Sequence, residues 1–540
     1  MKIKILFPDA LHFHKRNFKS LMEYIENKDI ETIFSNEFDE LKALYGNYKS
    51  KKSLLIKYYD ILSGLSLEEL YNKQYKGINV FEVSKAELLS FLMPKSNWLT
   101  VSVSSDTYEI FKKSYKENKE ELLLNMSMSI FWIDYWSRKL SFKNYKNINA
   151  CVIFSGSLIY VKTLSYLLQN TKIKVFVVEH FFTGNDYYFE EKYTHIANNG
   201  DIKFNNIYSQ MMKDFLDQDS HIIERDIIKA INKIKLKNNK NVKQPKELSC
   251  QEIEFDNTKK VILIIGQVIN DFSILETLMP NINSLEVYKN IIDGILTGTD
   301  YNIIFKAHPW ELQKVNIKES LTKNSLLNYV ESNYGDTVKT RFKLVENYNI
   351  ETLFNQSDII VGLSSQSLLE AAFMGYKTHQ IGQAFFGNKN FTFDHKDEFE
   401  FLSYIKKHEN IKRTLSLQEY RQLMNFFAIC LEHYLVSSHN SGKAKLHARL
   451  SNNTNSISII GKNTEFSLDF SVPMKRESQE RENPNILDIF HNNKPFKKKI
   501  VENIVLAMSS DKKAKKFLSN PKQFFEDSNY LIVKLLGKIY

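Results

Sequence analysis

A chain of 540 residues with 43% hydrophobic and 25% charged content is that of a folded protein too long for one core. The formal charge of +10 comes from Lys residues scattered along the chain, with no nucleic-acid-binding motif beside them, so nucleic acid is not an expected partner. Three cysteines (Cys151, Cys250, Cys430) stand far apart without metal-ligand spacing, which excludes a disulfide framework and points to a reducing compartment.

No window approaches the roughly 18 apolar residues of a membrane span. The apolar run at the N-terminus is too short for a signal peptide, so a cytoplasmic protein is expected.

In chain order, residues 4–8 read as a first strand and 16–25 as the helix after it. The polar turn between them, Leu-His-Phe-His-Lys-Arg-Asn (11–17), places His12, His14, Lys15 and Arg16 where they meet an anionic acceptor or form a solvated loop. Residues 35–95 and 108–135 carry helical periodicity without a chemical motif and read as a helical insertion. The sheet signal returns at 150–154, followed by Ser155-Gly-Ser157. Residues 174–178 form the next buried strand, which ends in Glu179-His180. A carboxylate and an imidazole at a strand mouth suit acid–base chemistry, with capping of the following loop as the alternative for Glu179.

Residues 205–245 are helical and then turn basic and polar, the composition of a linker. Asp217-Gln-Asp219 formally matches the Asp-x-Asp pattern of metal-dependent sugar transferases. It follows no strand and reads as a solvated helix face, so no metal is expected.

The second half begins at Val261 with three β-branched apolar runs, each ending in polar residues. They lead into Gln267 and Asp271, into Lys306-Ala-His308-Pro309, and into Ser364, Ser365 and Ser367. Ligands of open α/β sheets bind outside the carboxyl ends of strands, so the three clusters read as one cleft. The serines precede a helix starting near Leu368, whose unpaired N–H groups form a phosphate site or are simply capped. Glu370 falls in its first turns, placed to accept from ribose hydroxyls. The predicted fold is α/β with two Rossmann-like domains, 1–245 with a helical insertion and 246–435. A polar segment and tail, 436–540, follow. The basic amphipathic end (530–540) lies on an anionic membrane surface or docks on the second domain, two readings that stay open.

These motifs carry a resemblance. Gln267…Asp271, Lys306-Ala-His308-Pro309, Ser364-Ser365…Glu370-Ala…Gly375, Glu179 and the tail segment 516–527 resemble the bacterial capsule-polysaccharide synthesis proteins, and among them the retaining β-Kdo transferases. Ala307 stands where the family motif has Pro, and the turn at 382–393 matches only approximately.

The resemblance implies the GT-B fold, with two Rossmann-type domains facing across a cleft. It implies CMP-Kdo as donor, a saccharide or glycolipid acceptor, and no cofactor or metal. Asp271 would be the nucleophile, Glu179 the group activating the acceptor, and His308 a third catalytic residue. Gln267, Lys306, Pro309, Ser364, Ser365, Ser367 and Glu370 would hold the donor. His14, Arg16 and His180 would face the acceptor, and the tail would meet the inner membrane or capsule-assembly proteins. Another transferase of a CMP-activated donor, such as a sialyltransferase or a polyol-phosphate polymerase, and a non-catalytic assembly subunit are the competing expectations.

Overall fold

Short apolar runs of the chain pair into two six-stranded sheets. The computed structural model describes residues 3–238, 248–256, 258–277, 279–408 and 410–451. In the first half, strands β1 (Ile3–Phe7) and β2 (Ile30–Phe34) come before the helical insertion, which holds a small hairpin of β3 (Gln74–Tyr75) and β4 (Ile78–Asn79). Strands β5 (Ala150–Phe154), β6 (Lys174–His180) and β7 (Asp186–Glu191) follow it. The second half supplies β8 (Val261–Ile265), β9 (Asn302–Lys306), β10 (Phe342–Val345), β11 (Ile359–Gly362), β12 (Thr378–Ile381) and β13 (Thr392–His395), and β14 (Val436–Ser437) closes the series.

The second sheet has the order β10-β9-β8-β11-β12-β13, parallel throughout. This is the doubly wound order, in which the chain turns outward in opposite directions from β8 and β11. Strands β8, β9, β11 and β12 are buried at every residue, as a sheet covered on both faces requires. Register sets the site: Ile265 lies opposite both Lys306 and Gly362, so three strands end at one level. Gly266, Ala307 and Leu363 therefore leave the sheet side by side. The first sheet runs β14-β7-β6-β5-β1-β2, parallel from β6 to β2 and antiparallel at β7 and β14. Its direction changes between β1 and β5. Two Rossmann-type halves thus face each other, the GT-B-like arrangement expected from the motifs.

The insertion does not stand apart. Its central helix, Lys119–Ser141, buries an almost continuous face that includes Trp132 and Trp136, as an enclosed helix must. Leu88, Leu89, Leu122 and Met126 share one apolar core with Ile262, Ile264, Ile282 and Leu285 of the second half. Asn283 fastens the two. Fully buried, its Nδ2 donates to the carbonyls of Trp98, Leu99 and Val101, while its Oδ1 caps Leu285 N–H of the helix Ser284–Gly298.

One boundary differs from the sequence reading. Residues 436–451 do not open a polar tail: the helix Leu417–Ala428 and the π-helical turn Ile429–Tyr434 carry the chain back to the first half. There β14 pairs with β7, and the helix Gly442–Leu450 packs on the first-half helix Lys15–Ile25. The short strand is polar at Ser437 and invisible to a periodicity count. The rest of the expected tail, from 452, and most of the expected linker, 239–247, lie outside the described residues.

Replacing Asn283 by Ala leaves three carbonyls, those of Trp98 and Leu99 buried, without a side-chain donor and removes a helix cap. It is expected to lower stability by about 2–3 kcal/mol, read as a fall in the urea unfolding midpoint at unchanged m-value.

Candidate functional site

The loops leaving both switch points meet in a cavity of about 770 Å³. The first half contributes His12, Arg16, Phe154, Ser155, Glu179 and His180, and the second Gln267, Asp271, His308, Ser364, Ser365, Ser367 and Glu370. Residues far apart in sequence are brought together as the strand ends predict.

Glu179 is the penultimate residue of β6, and its Oε1 accepts the N–H of His180 at 2.9 Å. Burial pushes its carboxyl up to about 7, against the pull of the His180 N–H, the Ser155 hydroxyl and the charge of His12. The charge of Asp271, which lines the same cavity, adds a little to the rise. His180 stacks on Phe18 at 4.7 Å, and burial lowers its imidazole to about 3, so it is neutral at pH 7.

Asp271 follows β8 by six residues. Its Oδ1 accepts Ser273 N–H at 2.9 Å, capping the one-turn helix Phe272–Leu275 and fixing the carboxylate at the cleft wall. His308 is lowered to about 4 by burial, with the charge of Asp271 working the other way. The N–H of Trp310 donates to His308 Nδ1 at 3.1 Å. Nδ1 is therefore the acceptor and the neutral ring carries its proton on Nε2, which makes His308 a hydrogen-bond donor.

Several expected roles change. Lys306 does not line the cavity: its buried ammonium donates to the carbonyls of Ala307 (3.0 Å) and Glu346 (2.5 Å), and burial lowers it to about 8. Lysine at the end of a buried strand is spent on the neighbouring strand's exit, and Lys314 lines the cavity instead. Pro309 lies outside the lining, between His308 and Trp310. His14 is exposed at the start of the helix Lys15–Ile25 and also does not line it; His12, two residues earlier, does. Gln267 lines the cavity but works as a brace, its Oε1 accepting Ser364 N–H at 3.2 Å and its Nε2 donating to Ser273 Oγ at 2.8 Å. The serine helix is Ser367–Phe373, one residue earlier than expected, with Gln366 rather than a serine at its cap position. Gln366 instead reaches across to accept Phe182 N–H at 3.1 Å. Glu370 pairs with Lys237 at 2.7 Å.

Sequence reading missed Tyr45, Asn198, Asn270 and Trp310 in the lining. Only Trp310, beside His308-Pro309, carried a local signal. Asp217 and Asp219 are exposed at a helix junction and do not line the cavity. Among the described residues no three His, Cys, Asp or Glu side chains are grouped to hold a metal ion, and no helix is long and apolar enough to cross a membrane.

Residues 186–434 match the family of capsule polysaccharide biosynthesis proteins. The matched span opens at β7 and takes in Asp271, His308 and the serine helix, while His12 and Glu179 precede it. Among solved structures, the chain is similar to Thermosulfurimonas dismutans KpsC, beta Kdo 2,7 transferase, at 19% identity and a TM-score of 0.30, covering 54% of this chain and 78% of that one. It is also similar to Thermosulfurimonas dismutans KpsC, beta Kdo 2,4 transferase, at 17% identity and a TM-score of 0.32, covering 52% and 79%. No curated protein matches the chain.

The raised carboxyl of Glu179 makes a signed prediction. Folded Glu179 keeps its proton to about pH 7, whereas in the unfolded chain it is lost near the ordinary 4.5, so its contribution to stability falls as pH rises through that window. Glu179→Gln escapes this loss. Its melting temperature should match the parent's at pH 4 and exceed it at pH 8; equal melting temperatures at both would refute the buried, proton-retaining carboxyl.

Proposed function

We propose that this cleft transfers Kdo from CMP-Kdo to a saccharide acceptor with retention of configuration, in bacterial capsule polysaccharide synthesis. The observation that carries the reading is that Glu179 of the first half and Asp271 and His308 of the second line one cavity. The family match over residues 186–434 supports a role in capsule polysaccharide synthesis, and the motif resemblance supports Kdo transfer within it.

The donor's phosphate lies against the start of the helix Ser367–Phe373, where the Ser364, Ser365 and Ser367 side chains line the cavity, and against the Nε2–H of His308. An Asp271 oxygen forms a bond to the anomeric carbon as the carbon–oxygen bond to phosphate breaks, and CMP leaves with the bonding pair. In the second step an acceptor hydroxyl forms a bond to the same carbon, its proton passes to the Glu179 carboxylate, and Asp271 departs as carboxylate. With its carboxyl at about 7, Glu179 must be ionised to take that proton, so acceptor transfer should rise with pH to about 7 and then level.

The test is the intact mass of the protein after brief exposure to CMP-Kdo generated in situ without acceptor. An adduct of one Kdo is expected on the parent protein and on Glu179→Gln, and none on Asp271→Asn, whose amide still caps Ser273. An adduct retained on Asp271→Asn would sink the nucleophile assignment. CMP release from a different CMP-sugar, without a Kdo adduct, would overturn the donor.

A further inference from the structure

Asn198 belongs to the first half, in the loop that follows β7, yet its side-chain amide is spent on the second half. Its Oδ1 accepts the Phe385 N–H at 2.7 Å. Its Nδ2 donates to the Gln383 carbonyl at 3.2 Å and to the Ser364 hydroxyl oxygen at 3.3 Å. A backbone N–H can only donate, so the Phe385 bond fixes which end of the amide is oxygen. The other end is therefore the donor in both of its bonds.

The consequence falls on Ser364. A hydroxyl has one proton and two lone pairs, and Asn198 Nδ2–H occupies a lone pair, so the Ser364 proton is left to donate. Its acceptor within the protein is the Gly382 carbonyl at 3.4 Å, well beyond the ordinary length for a hydroxyl donor. Ser364 and Asn198 both line the cavity. An anion arriving there offers that proton a shorter, charge-assisted bond.

Folding of the loop does not require Asn198. Gln380 Oε1 accepts the Ala384 N–H at 3.0 Å, while Asp394 accepts from Gln380 Nε2 at 2.8 Å and from the Asn388 N–H at 2.9 Å. The loop is thus braced from β12 and β13. Beside it Lys389 ties the halves together, its Nζ donating to the Lys203 carbonyl at 3.1 Å and to Asn205 Oδ1 at 2.8 Å. What Asn198 adds to a loop and a closure already held is the polarity of one hydroxyl.

We propose that Asn198 is a positioning residue for the donor's phosphate: it sets the Ser364 hydroxyl as a hydrogen-bond donor toward the anion, so that the first half completes the donor site of the second. The assignment rests on the transferase reading given above and deepens its donor site. Asn198 acts through Ser364 rather than on the donor. A hydroxyl oriented before the ligand arrives does not lose binding energy to reorientation, which is the gain from preorganisation.

The test is a double-mutant cycle on the full chain, with CMP as the probe and calorimetric titration as the measurement. Asn198 has a left-handed backbone, φ 51°, so Asn198→Gly removes the amide without straining the turn. It should weaken CMP binding by about fivefold or more, and Ser364→Ala by at least as much. In the Ser364→Ala background, Asn198→Gly should cost less than about twofold, because the hydroxyl it orients is gone. A purely structural role would give the same loss in both backgrounds, and that result would overturn the proposal. So would Asn198→Gly or Ser364→Ala binding CMP within about twofold of the parent. Asn198→Asp keeps the acceptor for Phe385 N–H but turns the donor facing Ser364 into an acceptor. It should bind CMP no better than Asn198→Gly; recovery of the parent's affinity would show that anchoring Phe385 is what matters and would likewise overturn the assignment. A parent protein that binds no CMP defeats the donor reading itself, an outcome distinct from the others.

Discussion

Lys162 and Glu276 form a buried ion pair between the two halves, and the shape of the cleft depends on it. The nitrogen and oxygen lie 2.9 Å apart, with side chains only 6% and 4% exposed. Lys162 stands on the helix Ile159–Leu168 that leaves the first sheet after β5, and Glu276 caps the C-terminal end of the turn that Asp271 opens. His195 Nδ1 joins Glu276 at 3.3 Å. Burial alone would drive both groups toward neutrality, but mutual attraction outweighs it: Glu276 is held below the ordinary carboxylate range and Lys162 above the ordinary ammonium range. An apolar contact of the same volume would hold the halves together at least as well. What the ion pair adds is register: one oxygen against one nitrogen fixes where the Asp271 turn sits relative to Glu179.

Burial then assigns protonation within the cleft without any added ion. The same desolvation that raises Glu179 keeps His180 and His308 neutral. One imidazole becomes packing against Phe18 and the other, its Nδ1 occupied by Trp310 N–H, becomes a donor. Two imidazoles of the same intrinsic character acquire different functions from their surroundings.

The sheets were legible in the sequence because β-branched runs buried on both faces leave a plain mark, as in Val261–Ile265 and Ile359–Gly362. Their polar exits were legible for the same reason, and Glu179, Asp271, His308 and the three serines do share one cavity. What stayed hidden was every contact decided by a partner distant in sequence. Lys306 looked like a phosphate ligand, yet the carbonyl that captures it belongs to Glu346 at the end of β10. The resemblance pointed to His14 in the turn, yet it is His12, held by the buried Asp9, that lines the cavity. Asn283 carried no motif, because its three acceptors, at the end of the short helix Ser96–Leu99 and just beyond it, lie 182 to 185 residues away.

The return of the chain at Val436–Ser437 bears on how this protein is made. The first half is assembled from two pieces, one at the beginning of the described chain and one at its end. While the ribosome is still producing the second half, β7 has an open edge, and the groove over the helix Lys15–Ile25 awaits the helix Gly442–Leu450. An unpaired edge at that stage is a site for pairing with other nascent chains. The nascent first half stays incomplete until nearly 200 further residues have emerged, so slow translation of the second half lengthens its exposure to aggregation and to proteases.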